Sequence, residues 1–195
     1  MQGMGGADEE DLLEYQNGGR EAFERLFLKY KHPVFNFALR ILGNRADAED
    51  VTGEIFLMLY SKTISFEPRA KFSTWLYTIV RNTSISKLRK RKKFLPFFYQ
   101  DHENDEKTTP EIPDPQMRQD MKIQELEKSA LIQKAIQKLP LSQREAIVLR
   151  EYHEMSYEEI SQVLQCSLDN VKTLIFRARE RLRKELAPIL NEVRS

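Results

Sequence analysis

The fold of this chain is decided by residues 156–186, which read SYEEISQVLQCSLDNVKTLIFRARERLRKEL. Ser156 and Glu159 have the spacing of a capping box, in which the serine caps a backbone N–H and the acid reaches back. Ser167 can cap a second helix that begins near Leu168. A short helix, a tight turn and a longer basic helix make a helix-turn-helix arrangement.

The longer helix separates apolar from polar side chains. Val171, Ile175, Ala178 and Leu182 recur at helical spacing and are predicted to form its inner face. The outer face carries hydrogen-bonding, cationic and aromatic groups near the helix N-terminus, where a recognition helix meets base edges and phosphates. An ordinary amphipathic helix is the alternative, but an outward phenylalanine among arginines needs a partner. DNA contacts are therefore predicted for Asn170, Lys172, Thr173, Phe176, Arg177 and Arg179.

Residues 126–190 are predicted to form one small domain of four short helices. Pro140 ends the first of these helices. Ser142 and Glu145 repeat the capping-box spacing, so a second box is predicted there. Cys166 is predicted to fill a small apolar space beneath the turn.

Residues 10–93 are predicted to form a helical bundle behind a flexible tail of residues 1–9. Apolar residues recur at three- and four-residue steps from Phe23 to Ile41, the pattern of a buried helix face. Pro33 interrupts that stripe and predicts a kink or a break. Gly43 is predicted to stop the helix, with Asn44 or Asp47 capping the next one.

Positive charge is concentrated at residues 81–93, which read RNTSISKLRKRKK, although the whole chain has a formal net charge of only +1. Basic residues interleaved with the aromatic residues just before this run suit a surface that stacks bases and neutralises phosphates. Alone, the run could equally be a localisation signal or a solvated helix end. A helix-turn-helix on the same chain favours nucleic acid.

Residues 94–125 are acidic and rich in proline, which predicts a solvated linker. The alternative is an acidic segment that imitates nucleic acid in a basic channel. No apolar run approaches the ~20 residues of a membrane helix, and the N-terminus lacks the features of a signal peptide. A cytoplasmic protein without membrane insertion is predicted.

Catalysis and metal binding are not predicted. The single cysteine excludes an internal disulfide and any zinc site built on several cysteines. His32, His102 and His153 are far apart in sequence, accompany no nucleophile motif and are predicted to lie on the surface. No enzyme activity, cofactor or metal is expected.

Several motifs in order carry a family resemblance. AFERLF, RILGNRADAEDV and FSTWLYTIV are followed by LPLSQREAIVLRE, MSYEEIS and CSLDNVKTLIFRARE. This order resembles bacterial RNA polymerase sigma factors of the extracytoplasmic-function (ECF) group over residues 10–93 and 126–187. The resemblance implies an all-α fold of two small domains. The first would bind core polymerase and the promoter −10 element, and the second the −35 element.

The resemblance also implies partners and contact residues. Core RNA polymerase would be bound through its β′ clamp helices and β flap, and an anti-sigma protein would restrain the chain. The helix of residues 46–60 would dock on the clamp helices through Asp47, Asp50, Glu54, Leu57 and Tyr60. The loop of residues 65–71 would pocket a flipped base, and the following helix would hold the adjacent strand. The implied −10 contacts are Phe66, Arg69, Lys71, Trp75, Tyr77, Thr78, Arg81, Asn82 and Arg89.

Two positions depart from the family pattern. Gly53 stands where the family commonly has glutamine, and glycine inside a helix costs about 1 kcal/mol. Ser86 stands where the family frequently has an acidic residue, and the basic surface here therefore lacks that negative charge.

A competing hypothesis is a regulator that binds duplex DNA through the same helix-turn-helix without joining RNA polymerase. Such a protein needs a sensor domain with a ligand pocket or a phosphoacceptor aspartate. The first half shows neither an alternation of strands and helices nor such a motif, which favours the sigma factor.

Overall fold

The computed structural model describes residues 6–62, 71–94 and 123–192, and these residues form eight α-helices and no strand. The predicted all-α fold is therefore confirmed for this part of the chain. No helix within it is long and apolar enough to cross a membrane. In chain order the helices are α1 (Ala7–Gln16), α2 (Arg20–Leu42), α3 (Arg45–Tyr60), α4 (Phe72–Phe94), α5 (Ile123–Gln137), α6 (Leu141–Tyr152), α7 (Tyr157–Leu164) and α8 (Leu168–Glu192).

The predicted N-terminal tail is too long, because α1 already begins at Ala7. Asp8 explains the difference: its carboxylate lies 2.6 Å from Lys29 Nζ and accepts a 2.6 Å hydrogen bond from the Tyr30 hydroxyl. Glu9 accepts a hydrogen bond from the backbone N–H of Phe72. Residues 7–9 are thus tied to α2 and α4. Most of the predicted linker, residues 95–122, lies outside the described residues.

The junction between α2 and α3 follows the predicted turn chemistry. Gly43 has a φ of 69°, a conformation that suits glycine, and its N–H donates to the Leu39 carbonyl. The Asn44 side chain accepts a 2.9 Å hydrogen bond from the backbone N–H of Asp47. Helix α2 continues through Pro33 without breaking, since the core on both sides of the proline holds it in place.

The core of the described residues is continuous across both halves of the chain. Helix α2 lies at its centre and contacts α1, α3 and α4 of the first half and α5 and α6 of the second. Helix α4 also packs against α7. The largest fully buried apolar side chains come from both halves: Phe37, Ile41, Ile55, Phe72, Leu76, Ile136, Leu149, Ile160 and Ile175.

The predicted helix-turn-helix is formed by α7 and α8. Ser156 and Glu159 form the complete capping box. The turn passes through Gln165, whose φ of 53° reverses the chain, and the Ser167 side chain accepts a hydrogen bond from the backbone N–H of Asn170. Cys166 is partly buried against the core, as predicted.

The second predicted capping box is wrong. Helix α6 begins at Leu141, directly after Pro140, and has no side-chain cap. Ser142 therefore lies inside the helix. Glu145 is only 1% exposed and faces the first half of the chain instead of turning back to its own helix end.

Candidate nucleic-acid interfaces

The outer face of α8 presents every residue predicted there. Val171, Ile175 and Ala178 are buried, which fixes the opposite side of the helix as the exposed one. Phe176 is 67% exposed, so its ring has no apolar cover within the described residues. The exposed residues are Asn170, Lys172, Thr173, Phe176, Arg177 and Arg179.

The cations of this face are not equivalent. Arg179 lies 2.7 Å from Glu151 of α6, and this hydrogen bond raises the pKa of the guanidinium. Lys172 lies 3.0 Å from Asp169 one turn earlier. Arg177 has no ion pair with any described residue. A phosphate or base edge would meet least competition at Arg177.

A second exposed face lies on α3. Leu57 is 66% and Tyr60 is 55% exposed, while Glu54 and Asp50 are exposed one and two turns before Leu57. Three- and four-residue steps place these four side chains on one side of the helix. Asp47 continues the face but is only partly exposed. The result is a surface of mixed acidic and apolar groups, as predicted.

Gly53 lies within the same face of α3. It is exposed, and a Cβ atom added to it would meet no atom within 4 Å. Packing therefore does not require glycine at this position.

The acids of α3 are linked to the basic run of α4. Lys87 Nζ lies 2.6 Å from Asp50 and 3.3 Å from Asp47, and Arg91 lies 3.9 Å from Asp47. The hydrogen bond that Lys87 donates to the Asp50 carboxylate raises the pKa of Lys87. The predicted polymerase-facing and DNA-facing groups thus adjoin one another.

The residues predicted to contact the −10 element have different surroundings. Phe66 and Arg69 lie outside the described residues. Asn82 and Arg89 are exposed on α4, and so is Ser86, the other departure from the family pattern. Three of the other five have the following contacts: Lys71 is paired at 2.8 Å with Glu159 of α7, Trp75 is partly buried beside Phe72, and Thr78 donates to the Thr74 carbonyl.

Tyr77 does not have the exposure that was predicted for it. The side chain is 4% exposed, and its hydroxyl lies 2.7 Å from His153 Nδ1. Both rings pack on Phe37, at centroid distances of 5.4 and 5.6 Å. Burial raises the pKa of the phenol. The prediction failed because residues 10–93 were treated alone, whereas the second half covers this face of α4.

Arg81, one turn after Tyr77, is also engaged by the second half. Its Nε lies 3.0 Å from Glu145 Oε1, and the two side chains are only 19% and 2% exposed. Burial raises the pKa of Glu145, while the charge of Arg81 acts against that shift. A buried carboxylate beside a guanidinium is strongly disfavoured once its partner is removed.

His153 and Glu145 were missed as functional candidates. His153 was predicted to be a surface residue but is partly buried, and burial, reinforced by the charge of Arg40, lowers its pKa to about 4. Among the other histidines, His32 is exposed, and His102 lies outside the described residues. Neither missed residue has a sequence signal, because their partners on α4 are 76 and 64 residues away.

The second half also completes the C-terminal end of α2. The last carbonyls of a helix have no partner within it. The carbonyl of Ile41 accepts a 2.8 Å hydrogen bond from Arg144, and the carbonyl of Arg40 accepts a 2.6 Å bond from Gln137. Arg144 is partly buried here, which lowers its pKa. Helices α5 and α6 are thereby fastened to α2.

Two family models match different parts of the chain. The family model of sigma-70 region 2 matches residues 26–94, which include α3 and α4. The family model of sigma-70, region 4 matches residues 129–182, which include the helix-turn-helix.

Similar proteins match over almost the whole chain. The RNA polymerase sigma-H factor of Pseudomonas aeruginosa is 34% identical over 195 residues, spanning 95% of this chain and 96% of that protein. The ECF RNA polymerase sigma factor SigW of Bacillus subtilis is 38% identical over 180 residues, spanning 90% and 94%. The sigma factor RpoE of Bartonella quintana, solved with the anti-sigma factor NepR, has a TM-score of 0.68 at 26% identity and covers 85% of this chain and 96% of its own. The chain therefore belongs to the extracytoplasmic-function group of RNA polymerase sigma factors.

Proposed function

We propose that this chain binds core RNA polymerase and directs transcription initiation by recognising the −10 and −35 promoter elements and assisting promoter melting. The observation that supports this most is the presence of two separate exposed surfaces on one chain. The outer face of α8 suits DNA, and the face of α3 suits a protein helix. A regulator that only binds duplex DNA has no use for the second surface.

Polymerase binding is assigned to α3. Leu57 and Tyr60 supply exposed apolar area, and the three carboxylates of Asp47, Asp50 and Glu54 would meet basic edges of the β′ clamp helices. A large apolar side chain left exposed in a soluble protein marks an interaction site when it belongs to a contiguous surface. The β flap is proposed as the partner of the second domain.

Reading of the −35 element is assigned to α8. Asn170, Lys172 and Thr173 lie near its N-terminus, where side chains reach base edges, and Phe176 and Arg177 follow one turn later. Arg179 lies farther along the helix and is paired with Glu151, which suits a phosphate contact. A good bidentate contact to a base is worth about 1–3 kcal/mol of discrimination.

The −10 element is assigned to the loop of residues 65–71 and to α4. Strand separation exposes bases that must be held, because extruding a base costs a few kcal/mol. Lys71, Asn82 and Arg89 are exposed, whereas Tyr77 and Arg81 become available only when the second half moves away. Trp75 and Thr78 line the same part of α4. Phe66 and Arg69 complete the assignment within the loop.

The domain division is part of the proposal: residues 10–93 bind polymerase and the −10 element, residues 94–125 link the domains, and residues 126–190 bind the −35 element. An anti-sigma protein is proposed as a further partner, because RpoE of Bartonella quintana is bound to one. The chain is proposed to act in the cytoplasm, without catalysing a reaction of its own.

Transcription in vitro tests this function. Purified core polymerase would be combined with the chain and a library of templates with randomised promoter regions. Enrichment of transcripts that share a −10 and a −35 element, dependent on added chain, is expected. Sequence-specific duplex binding without any stimulation of core polymerase would favour the DNA-binding regulator instead.

A further inference from the structure

Part of the surface that is assigned to the −10 strand, on α4 and the residue before it, is occupied by the chain itself, while Asn82 and Arg89 stay exposed. Three of its groups have partners on the second half of the chain. Lys71 is paired with Glu159, the Tyr77 hydroxyl is hydrogen-bonded to His153, and Arg81 is paired with Glu145. In the same arrangement the outer face of α8 stays exposed.

The chemistry of these contacts resembles that of a nucleic-acid strand. Glu145 presents a carboxylate to Arg81 where a phosphate would present its oxygens, and both anions suit the guanidinium fork. His153 contributes a ring that packs near Tyr77, with a centroid distance of 4.6 Å, as well as a polar atom for its hydroxyl. A base stacked on a tyrosine offers the same combination.

We propose that α6 and α7 compete with promoter DNA for this face of α4, with Glu145 in the place of a phosphate at Arg81 and His153 in the place of a base at Tyr77. This inference rests on the proposed function, because it takes α4 as the reader of the −10 strand. Glu145 lies against the Nε and Nη2 edge of Arg81, at 3.0 and 3.4 Å, and a phosphate bound at that edge would have to displace it. The closed chain therefore keeps its −35 reader exposed and covers Tyr77 and Arg81 of its −10 reader.

The competition has a thermodynamic consequence. When only an open state binds a ligand, the apparent dissociation constant equals the intrinsic one divided by the open fraction. Weakening the closed state must then tighten binding of single-stranded DNA without any new contact to it. Binding of a −35 duplex must stay the same, since α8 is exposed in both states.

Two substitutions outside the DNA-binding set weaken the closed state. Glu145→Gln keeps the size of the side chain but removes the anion at Arg81. His153→Phe keeps a ring against Phe37 but removes the hydrogen-bonding partner of Tyr77. Glu185→Gln is the matched control, because Glu185 pairs at 2.7 Å with Lys138 within the second half.

Two measurements are made on the full chain. Spin labels on cysteines introduced at the exposed positions Glu24 and Lys184, in a Cys166→Ser background, report the distance between α2 and α8 by pulsed electron resonance. Fluorescence anisotropy reports binding of a single-stranded DNA of mixed sequence and of a −35 duplex. Circular dichroism confirms that each variant is folded.

The proposal predicts a longer-distance population in Glu145→Gln and His153→Phe, together with single-strand binding at least about tenfold tighter than in the parent chain or Glu185→Gln. Unchanged distances, or longer distances without tighter single-strand binding, would overturn it. If Glu145→Gln fails to fold, the distances and the single-strand affinity of His153→Phe still test the proposal. A chain whose distances lengthen but that binds neither core polymerase nor a −35 duplex would refute the proposed function separately.

Discussion

Gly53 offers a test of the α3 surface in which stability and polymerase binding can be measured separately. Two replacements are needed, Gly53→Ala and Gly53→Gln. Both add a Cβ atom to the middle of a helix, but only glutamine adds a polar group that can reach a partner. Glutamine is also the residue that the family commonly carries here.

The magnitude of the stability change follows from the local geometry. Gly53 lies in the interior of α3 (Arg45–Tyr60), is exposed, and would place an added Cβ more than 4 Å from any neighbour. Only the helix propensity then changes, so alanine should stabilise the chain by about 1 kcal/mol and glutamine by slightly less. Urea unfolding would measure both changes, provided that the dependence of the unfolding free energy on urea concentration is the same in the parent and the variants.

Polymerase affinity should distinguish the two replacements. Gly53→Ala should leave it almost unchanged, whereas one hydrogen bond from Gly53→Gln, worth about 1 kcal/mol, corresponds to about fivefold tighter binding. Titration of labelled core polymerase measures this difference. A loss of stability in Gly53→Ala, or equal polymerase affinity in the two variants, would refute the reasoning about this face.

Three further predictions concern the acids of α3, the arginines of α8 and His153. Replacing Asp50 and Glu54 with lysine should weaken polymerase binding while preserving the helical circular dichroism spectrum, because both side chains are exposed; unchanged affinity would exclude them from docking. Arg177→Ala should cost about 1–3 kcal/mol and relax preference at one −35 base, whereas Arg183→Ala should weaken all sequences equally and lower only the salt slope. Affinities for −35 duplexes with single-base changes, measured at two salt concentrations, separate these cases. An equal loss of affinity for every duplex in Arg177→Ala would show that Arg177 contacts only phosphate. Folding lowers the pKa of His153 from 6.5 to about 4. Below pH 6.5 the histidine is therefore protonated in the unfolded chain but not in the folded chain, and the folded state loses stability as the pH falls towards 4. Between about pH 7.5 and 5.5 the free energy of unfolding of the parent should therefore fall by up to about 1.4 kcal/mol more than that of His153→Phe. The buried Glu145 is present in both proteins, so its titration does not contribute to the difference. Equal decreases in urea titrations would contradict this.

The helix-turn-helix could be predicted from sequence because its determinants are local. A serine and a glutamate three residues apart made the capping box at Ser156, and helical spacing correctly assigned the two faces of α8. The same spacing at Ser142 misled, because Glu145 is held by an arginine 64 residues earlier in the chain. Local spacing cannot reveal a partner that only the tertiary fold provides.

The placement of Tyr77 failed for the same physical reason. Phe72, Leu76 and Val80 recur at four-residue steps and are buried, but such a pattern describes a single helix packed on a single neighbour. Helix α4 packs against α1, α2 and α3 of the first half and also against α7 of the second. The contact with α7 joins residues on either side of the predicted linker, and no pattern within α4 reports it.

The most direct test of the central claim is the stoichiometry of the complex with polymerase. Purified chain in excess would be mixed with core RNA polymerase lacking any sigma factor, and gel filtration would separate the polymerase fraction from the unbound chain. One chain per polymerase is expected to co-elute, and Leu57→Lys, which places a charge on the exposed apolar part of α3, should reduce that fraction. Failure of the unsubstituted, folded chain to co-elute would contradict its role as a sigma factor.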